Sequence, residues 1–296
     1  MNALFEPRVV RTRGPDATLE LLLEPQQAYL DHHRPGGEPL FSTVLGLEAI
    51  ASAVRLLEPG AAPGLADVRV GPPCIATGMR VLPVRIEACR PAGQGRLECA
   101  LHGAAEAGGQ RVHLAARHVL AGTLPVRAAV ARCGRGAVGS REVYEHFFHG
   151  PAFRVVGAAQ WRPGHLLAEM APGLPPLRTG GGYRTWLAPR LLELGLQAAG
   201  LLELARSGRM RIPAGIGSVW VAAEGGRAPE HGCRALAVER TDEGTDILVV
   251  GATGEPLVAI EDYRTVPLPF ADNVTTRERL HATLRASLPV GTAQGT

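Results

Sequence analysis

Two short stretches carry residues able to do acid–base chemistry. The first is Asp31-His32-His33-Arg34-Pro35-Gly36-Gly37-Glu38-Pro39-Leu40-Phe41-Ser42, where a histidine precedes a paired-glycine turn and a helix start. An imidazole titrates near neutral pH and serves as a base. Free backbone N–H groups at a turn or helix start polarise a carbonyl oxygen. The second stretch is Leu191-Leu192-Glu193-Leu194-Gly195-Leu196-Gln197. On a helix it sets a carboxylate and an amide at i and i+4, about 6 Å apart at Cβ. Leucines surround Glu193, and a dry setting would raise its pKa and favour a proton-donating form. From the residues alone each stretch also has a plain reading: a turn before a buried helix, and a glutamate on the wet side of an amphipathic one.

The elements that must position these groups are two long helices. Val44, Leu47, Ile50, Ala51, Val54 and Leu57 recur at three- and four-residue spacing, which predicts a helix over Thr43–Leu57 with one apolar face. Thr43 is the expected N-cap, and Pro59-Gly60 the stop. The second helix is expected from Pro189, a favoured first-turn residue, to about Arg206, with Gly208 near its end. As a turn residue ahead of the first helix, His33 is expected to be open to solvent.

Around the helices the chain reads as strands. Short extended segments are expected from Arg8 to Leu30, then runs at Cys74–Ala88, Arg96–His102 and Arg111–Leu120, the last two joined by a turn over Gly103–Gln110. A segment poor in pattern, 125–139, contains Gly134-Arg135-Gly136-Ala137-Val138-Gly139. No alternation of strands and helices surrounds this GxGxxG string, so it reads as a linker and not as a dinucleotide loop. Beyond it, Ser140 is placed as the cap of a short helix to about Phe148. Strands follow at Val155–Trp161, Leu166–Met170, Ile216–Ala223, Arg234–Arg240, Asp246–Val250 and Pro256–Val266. Each half is thus a helix plus long antiparallel strands, a suspected duplication. The division expected is 1–124, a linker over 125–139, 140–270, and a tail over 271–296 holding a short helix at Thr275–Leu288.

Composition removes several function classes. Apolar residues are 46% and charged residues 20%, enough for a full core. No apolar run reaches the roughly 20 residues of a membrane span, and a charged N-terminus broken by Pro7 and Pro15 does not read as a signal peptide. Lysine is absent, so all 31 basic residues are arginine. That excludes Schiff-base lysines, a P-loop lysine and a Ser-Lys pair, and it suggests a GC-rich bacterial genome. The net charge of +3 is scattered, which argues against nucleic-acid binding. Five cysteines form no CxxC pair and read as reduced packing thiols. His146 and His149 sit three apart with no evident third ligand, so no metal site is expected. His113 and His118 read as surface or satisfied core residues.

Taken in order, the motifs resemble those of the dehydratase domains of modular and iterative polyketide synthases. The run from His33 resembles the HxxxGxxxxP motif, with His33 on the histidine, Gly37 on the glycine and Ser42 where the family has proline. His32 with Gly36 has the same spacing, but the glycine pair and Leu40 fit His33 better. Ala188-Pro189-Arg190-Leu191-Leu192-Glu193 through Gln197 resembles the helix HPxxLDxxxQ, with glutamate for aspartate and Ala188 for histidine. Tyr144 through Phe148-His149-Gly150-Pro151-Ala152-Phe153 is similar to the YxxxGxxYGPxF block. Ile212-Pro213 through Trp220 is similar, more weakly, to the strand after the long helix.

The resemblance implies an α+β protein with the double hotdog fold, two tandem helix-wrapped antiparallel sheets. It implies removal of water from a 3-hydroxyacyl chain held by thioester on the phosphopantetheine arm of an acyl carrier protein, with no further cofactor. His33 would take the α-proton and Glu193 would protonate the departing β-hydroxyl, with Gln197 holding the carboxyl group. Gly37 or its neighbours would offer an N–H to the thioester carbonyl. Tyr144, Pro151 and Phe153 would shape the acyl tunnel and the join between halves. Expected partners are the carrier protein and other synthase domains in a bacterial cytoplasm, in antibiotic-type biosynthesis, with a homodimer left open. The departures at Ser42 and Glu193 also leave open a silent scaffold domain, and the same pair could shift a double bond or close a ring.

Overall fold

The computed structural model describes all residues except 1–2, 62–63, 76–80, 92–95, 105–109, 120–128, 180–181, 223–229, 269–272 and 287–296. The first half runs β1 (Arg8–Arg13), β2 (Asp16–Leu23), α1 (Ala28–Asp31), a 3-10 turn over Pro35–Gly37, β3 (Leu40–Phe41), α2 (Thr43–Leu57), β4 (Gly64–Val70), β5 (Cys74–Ile75), β6 (Leu82–Cys89), β7 (Glu98–Ala104) and β8 (Gln110–His118). The second runs β9 (Val138–Gly139), α3 (Ser140–Tyr144), a 3-10 turn over Pro151–Phe153, β10 (Val156–Arg162), β11 (His165–Met170), α4 (Pro189–Ser207), β12 (Arg211–Val221), β13 (Arg234–Glu239), β14 (Thr245–Val250), β15 (Pro256–Pro267) and α5 (Val274–Ala286).

Thirteen strands form one antiparallel sheet in the order β1-β2-β6-β7-β8-β4-β12-β15-β14-β13-β11-β10-β9. The first six belong to the first half and wrap α2; the other seven belong to the second half and wrap α4. This is the double hotdog. The halves join where β4 pairs with β12, from Gly64 opposite Trp220 to Arg69 opposite Gly215. Both helices are buried along most of their length, and a Leu→Ala change at one of their buried leucines would cost about 2–5 kcal/mol. In α4, Gly195 lets the sheet approach closely, since a Cβ there would stand 2.8 Å from Ile247 Cγ2. No helix among the described residues is long and apolar enough to cross a membrane.

Several local expectations change. The N-cap of α2 is Ser42, by its extended φ of −70° and ψ of 159°, and not Thr43. Gly139, not Ser140, precedes α3, which ends at Tyr144. Part of the Arg8–Leu30 stretch is the short α1. β4 was not anticipated: Asp67 adopts a left-handed φ of 52° at a register shift between Ala66 and Arg69, which interrupts the two-residue alternation that betrays a strand. The part of the expected linker that is described is laid against the second half. Val130 packs with Leu167 and Val250, the Gly134 N–H donates to Gln160 Oε1 at 3.0 Å, and Val138–Gly139 pairs with β10. The remainder, 125–128, lies outside the described residues, as does 105–109 of the expected hairpin turn. The tail helix is docked: α5 buries Leu280 and Leu284 against α4 and β10. All five cysteines are free.

Candidate functional site

The turn after α1 folds on itself. Arg34 donates from Nε to Asp31 O at 3.0 Å and from Nη1 to Gly37 O at 3.0 Å. Gly36 and Gly37 take left-handed φ values of 74° and 93°, which glycine adopts without a Cβ penalty. The turn decides between the two adjacent histidines. The His32 Nδ1 accepts the Ala152 N–H at 3.0 Å, so its ring holds the halves together. His33 faces the other way, into a cavity.

The segment before the Pro151–Phe153 turn meets this one edge to edge. His33 and His149 form an antiparallel bridge, and the Gly150 N–H donates to His32 O at 2.8 Å. A Cβ on Gly150 would come within 2.7 Å of His32 Cβ, so the approach requires glycine. His33 is therefore not an open turn residue. It is 8% exposed, and its ring meets Phe148, His149 and Phe153 edge-on at centroid separations of 5.1, 5.0 and 5.9 Å.

From the other side, the one-helix-turn spacing of Glu193 and Gln197 becomes a contact. The Gln197 Nε2 donates to Glu193 Oε1 at 2.8 Å and to Phe153 O at 2.9 Å. The Gln197 Oε1 accepts the Tyr144 hydroxyl proton at 2.7 Å, and the Tyr144 hydroxyl accepts the Val156 N–H at 2.8 Å. Every polar atom of the Gln197 amide is thereby committed, so the amide cannot turn and Glu193 Oε1 is fixed. His149 completes the cluster, with Nε2 at 3.0 Å from Glu193 Oε1. His149 is 6% exposed and Glu193 5%.

His33, His149, Glu193 and Gln197 line one cavity of about 150 Å³, with Leu40, Val44, Phe148, Leu196, Met210 and Tyr263 among its apolar walls. Burial first, then the charge of His149, lowers the His33 pKa to about 3 against the pull of Glu193, so its ring is neutral at physiological pH. Burial alone would push the Glu193 carboxyl up. The hydrogen bond and charge of His149, the charge of His33 and the Gln197 amide outweigh it and hold the group below the usual carboxylate range. The expectation that a dry setting raises this pKa is corrected by these two histidines.

Other expected site residues sit further out. Tyr144 and Phe153 stand behind Gln197 and His33 and are not among the residues lining the cavity. Pro151 is exposed, so it starts the turn and does not shape a tunnel. The Gly37 N–H already donates to Arg34 O at 3.1 Å, which removes it as a ready donor to a carbonyl. Ser42 does line the cavity, and its buried hydroxyl has no hydrogen-bond partner among the described residues.

His149 was weighed in the sequence only with His146, as a metal pair without a third ligand, and not as a partner of Glu193. The helix ends before either residue, and His146 turns away to Thr276 Oγ1 at 3.2 Å. His113 is a buried core residue with Nδ1 at 2.8 Å from Pro72 O and Nε2 at 3.0 Å from Phe41 O, to one of which its neutral ring donates. Donor atoms of His33, His149 and Glu193 lie within 4.8 Å of one another, a set chemically able to hold a divalent cation. However, the His149 Nδ1 has no partner among the described residues, so the outer hydrogen bond that normally orients a metal-binding imidazole is missing.

Fold and site together define a double hotdog protein with a histidine–carboxylate cavity enclosed where its halves meet. A family model described as the polyketide synthase dehydratase N-terminal domain matches residues 121–272, and the chain belongs to the polyketide synthase dehydratase family. The matched stretch contains His149, Glu193 and Gln197 and leaves out His33. Among solved structures the chain is similar to the dehydratase domain from the CurF module of the curacin polyketide synthase, at 19% identity over 90% of this chain and 100% of that one, with a TM-score of 0.74. It is similar to a trans-AT polyketide synthase dehydratase domain from Brevibacillus brevis at 17% identity, over 88% and 96%, TM-score 0.74. It is also similar to the pyran synthase domain from module nine of the sorangicin pathway at 18% identity, over 90% and 100%, TM-score 0.72. At these identities the likeness establishes the fold. Comparison with curated proteins gives no match.

Proposed function

We propose that this chain removes water from a 3-hydroxyacyl thioester carried on the phosphopantetheine arm of an acyl carrier protein, giving an enoyl thioester during polyketide assembly. One observation carries the reading: His33 from the first half and Glu193 from the second line the same small, mostly apolar cavity. His33 acts as the base. Its neutral ring takes the proton α to the thioester, a proton made acidic by the carbonyl. The carboxyl end of Glu193, fixed by Gln197, lies at the β-hydroxyl and directs its departure as water. Apolar walls keep bulk water from the carbanion-like centre and strengthen each polar contact inside. The thioester carbonyl is expected at the start of α2, where Thr43 and Val44 line the cavity beside the unpartnered Ser42 hydroxyl and the first N–H groups of the helix lack intrahelical acceptors.

The test is mass spectrometry of a 3-hydroxyacyl carrier protein incubated with the chain. Loss of one water supports the reading, and an unchanged substrate across a range of chain lengths supports a scaffold domain instead. The likeness to a pyran synthase domain makes ring closure the second activity to assay, read as a product of unchanged mass and altered chromatographic retention when a 7-hydroxy-2-enoyl chain, whose hydroxyl closes a six-membered ring on C3, is supplied.

A further inference from the structure

In the simplest form of the proposed reaction Glu193 is the sole acid. The geometry around it points to a different holder of the proton. We infer, resting on the dehydratase reading above, that the proton given to the departing hydroxyl is held jointly by His149 and Glu193, and that His149 returns this pair to its starting state by taking a proton from His33.

Three observations meet here. His149 Nε2 stands 3.0 Å from Glu193 Oε1, the distance of a hydrogen bond with one proton between two basic atoms. Both residues line the cavity and both are buried, so bulk solvent does not supply or remove that proton freely. Finally, the His149 ring lies beside His33, centroids 5.0 Å apart, within reach of a direct or single-water transfer. The ionised state that His149 and Gln197 favour for Glu193 agrees with this placement, because a lone carboxylate has no proton to give. The related motif block carries tyrosine before Gly-Pro, and a phenol with a pKa of about 10 does not cycle a proton near neutrality. His149 can.

The step balances. His33 removes the proton from C2, and the C2–H electron pair becomes the C2=C3 double bond. The C3–O bond breaks, and its oxygen leaves as water with the proton from the His149–Glu193 pair. His33 is then one proton richer and the pair one proton poorer, so transfer from His33 to His149 resets the site without an outside acid. The other titratable or charged groups around the pair are Tyr144, whose hydroxyl is bonded to Gln197, Tyr263, His113 and Arg211 on the cavity wall, and Arg154, which donates to His149 O at 3.0 Å; burial lowers the His113 pKa and keeps its ring neutral. Burial raises both tyrosines well above neutrality, so neither competes for the proton.

The experiment uses the full chain with 3-hydroxybutyryl pantetheine thioester as probe, following kcat and KM across pH for wild type, His149→Gln and His149→Tyr. Glutamine still donates to Glu193 but carries no exchangeable acid–base proton. The expected result for His149→Gln is a fall in kcat of about a hundredfold or more, in the range of a lost acid–base partner, with KM within about threefold and the activity optimum moved to lower pH, where Glu193 alone is protonated. His149→Tyr, which restores the family residue, is expected to show the same acid-shifted profile and covers the case of a glutamine variant that does not fold. A kcat within about threefold of wild type, a fall with an unmoved pH profile, or an effect on KM alone overturns the inference. A second readout needs no turnover. Proton NMR of the unliganded wild type is expected to show a strongly deshielded imidazole N–H that is absent from His149→Gln, and its absence from wild type overturns the shared proton. Wild type that turns over no thioester while showing that resonance overturns the dehydratase reading and the catalytic step with it, but leaves the paired proton standing.

Discussion

Each half of the molecule buries one glutamate on its central helix, and the two are handled in opposite ways. Glu48 on α2 is fully buried and receives backbone N–H groups only, Trp186 and Leu187 each donating to a different carboxylate oxygen at 2.8 Å. Burial pushes its carboxyl up to about 8 against the pull of those two N–H groups. Glu193 on α4 is held by groups that themselves titrate or line the cavity, and its pKa moves down. The same residue type at similar burial is a clamp in one half and a site group in the other. What separates them is the company: backbone amides from the opposite half give Glu48 a fixed structural task, whereas two imidazoles and a cavity give Glu193 a proton to exchange.

The clamp serves the site. The Glu48 carboxyl group fixes the chain just before Ala188, which enters α4 with a left-handed φ of 49° that costs an alanine about 1–2 kcal/mol. Ala188 O then accepts the N–H groups of Leu191 and Leu192, so the helix starts where it must for Glu193 to reach His149.

Breaking the comparison at Glu193 gives the largest effect. Glu193→Gln removes the carboxylate and its share of the proton, and kcat for water loss is expected to fall by about 10²–10⁴ while the folded structure persists. A rate unchanged in the mass-spectrometric assay would show that this carboxylate is not part of the chemistry. Glu48→Gln should do the reverse. It turns an amide NH₂ against one of the two backbone N–H groups, costing about 1–3 kcal/mol of stability, read by denaturant titration, with a much smaller effect on kcat. A loss of rate as large as that of Glu193→Gln would erase the distinction drawn here.

The pH dependence of stability sharpens the contrast, because the two shifts have opposite signs. Glu48 has a folded pKa raised to about 8, so the folded state binds more protons than the unfolded one. Its contribution is complete below the ordinary carboxyl range and is lost as pH rises toward about 8. Glu193 has a depressed folded pKa, so its contribution is present above the ordinary range and is lost as pH falls through the folded value. Glu48→Gln is therefore expected to flatten the alkaline side of the stability profile and Glu193→Gln the acid side. The smallest effect is expected from metal removal. Dialysis against EDTA should leave dehydration unchanged, and activity lost to chelator and restored by zinc would recast His33, His149 and Glu193 as a metal centre.

Much of the frame was legible in the chain. Pro189 and Gly208 bracket α4 as their backbone preferences require, and the three- and four-residue recurrence of apolar side chains located α2. Elements were missed where a local irregularity broke the pattern, as at Asp67 in β4. The site was half legible. Type and spacing made His33, Glu193 and Gln197 candidates only, and the resemblance to the dehydratase motifs singled them out and gave them roles. His149 could not be paired with them, because the contact depends on the Gly150 approach to His32, and no local pattern encodes that approach. Glu48 gave no signal either, since its partners are backbone N–H groups in the other half.

The sequence by itself determined two halves, each a long helix plus antiparallel strands, because periodicity and turn chemistry act over a few residues; the wrapping of strands around each helix was implied only by the resemblance. The sequence also put an imidazole and a carboxylate on the elements leading to the cavity. Only the tertiary structure decided their protonation. Burial would have driven the Glu193 carboxyl up, and two histidines brought from distant parts of the chain drove it down. Charge and hydrogen bonding act through space at a few ångströms, and separation along the chain says little about which groups will meet at that distance.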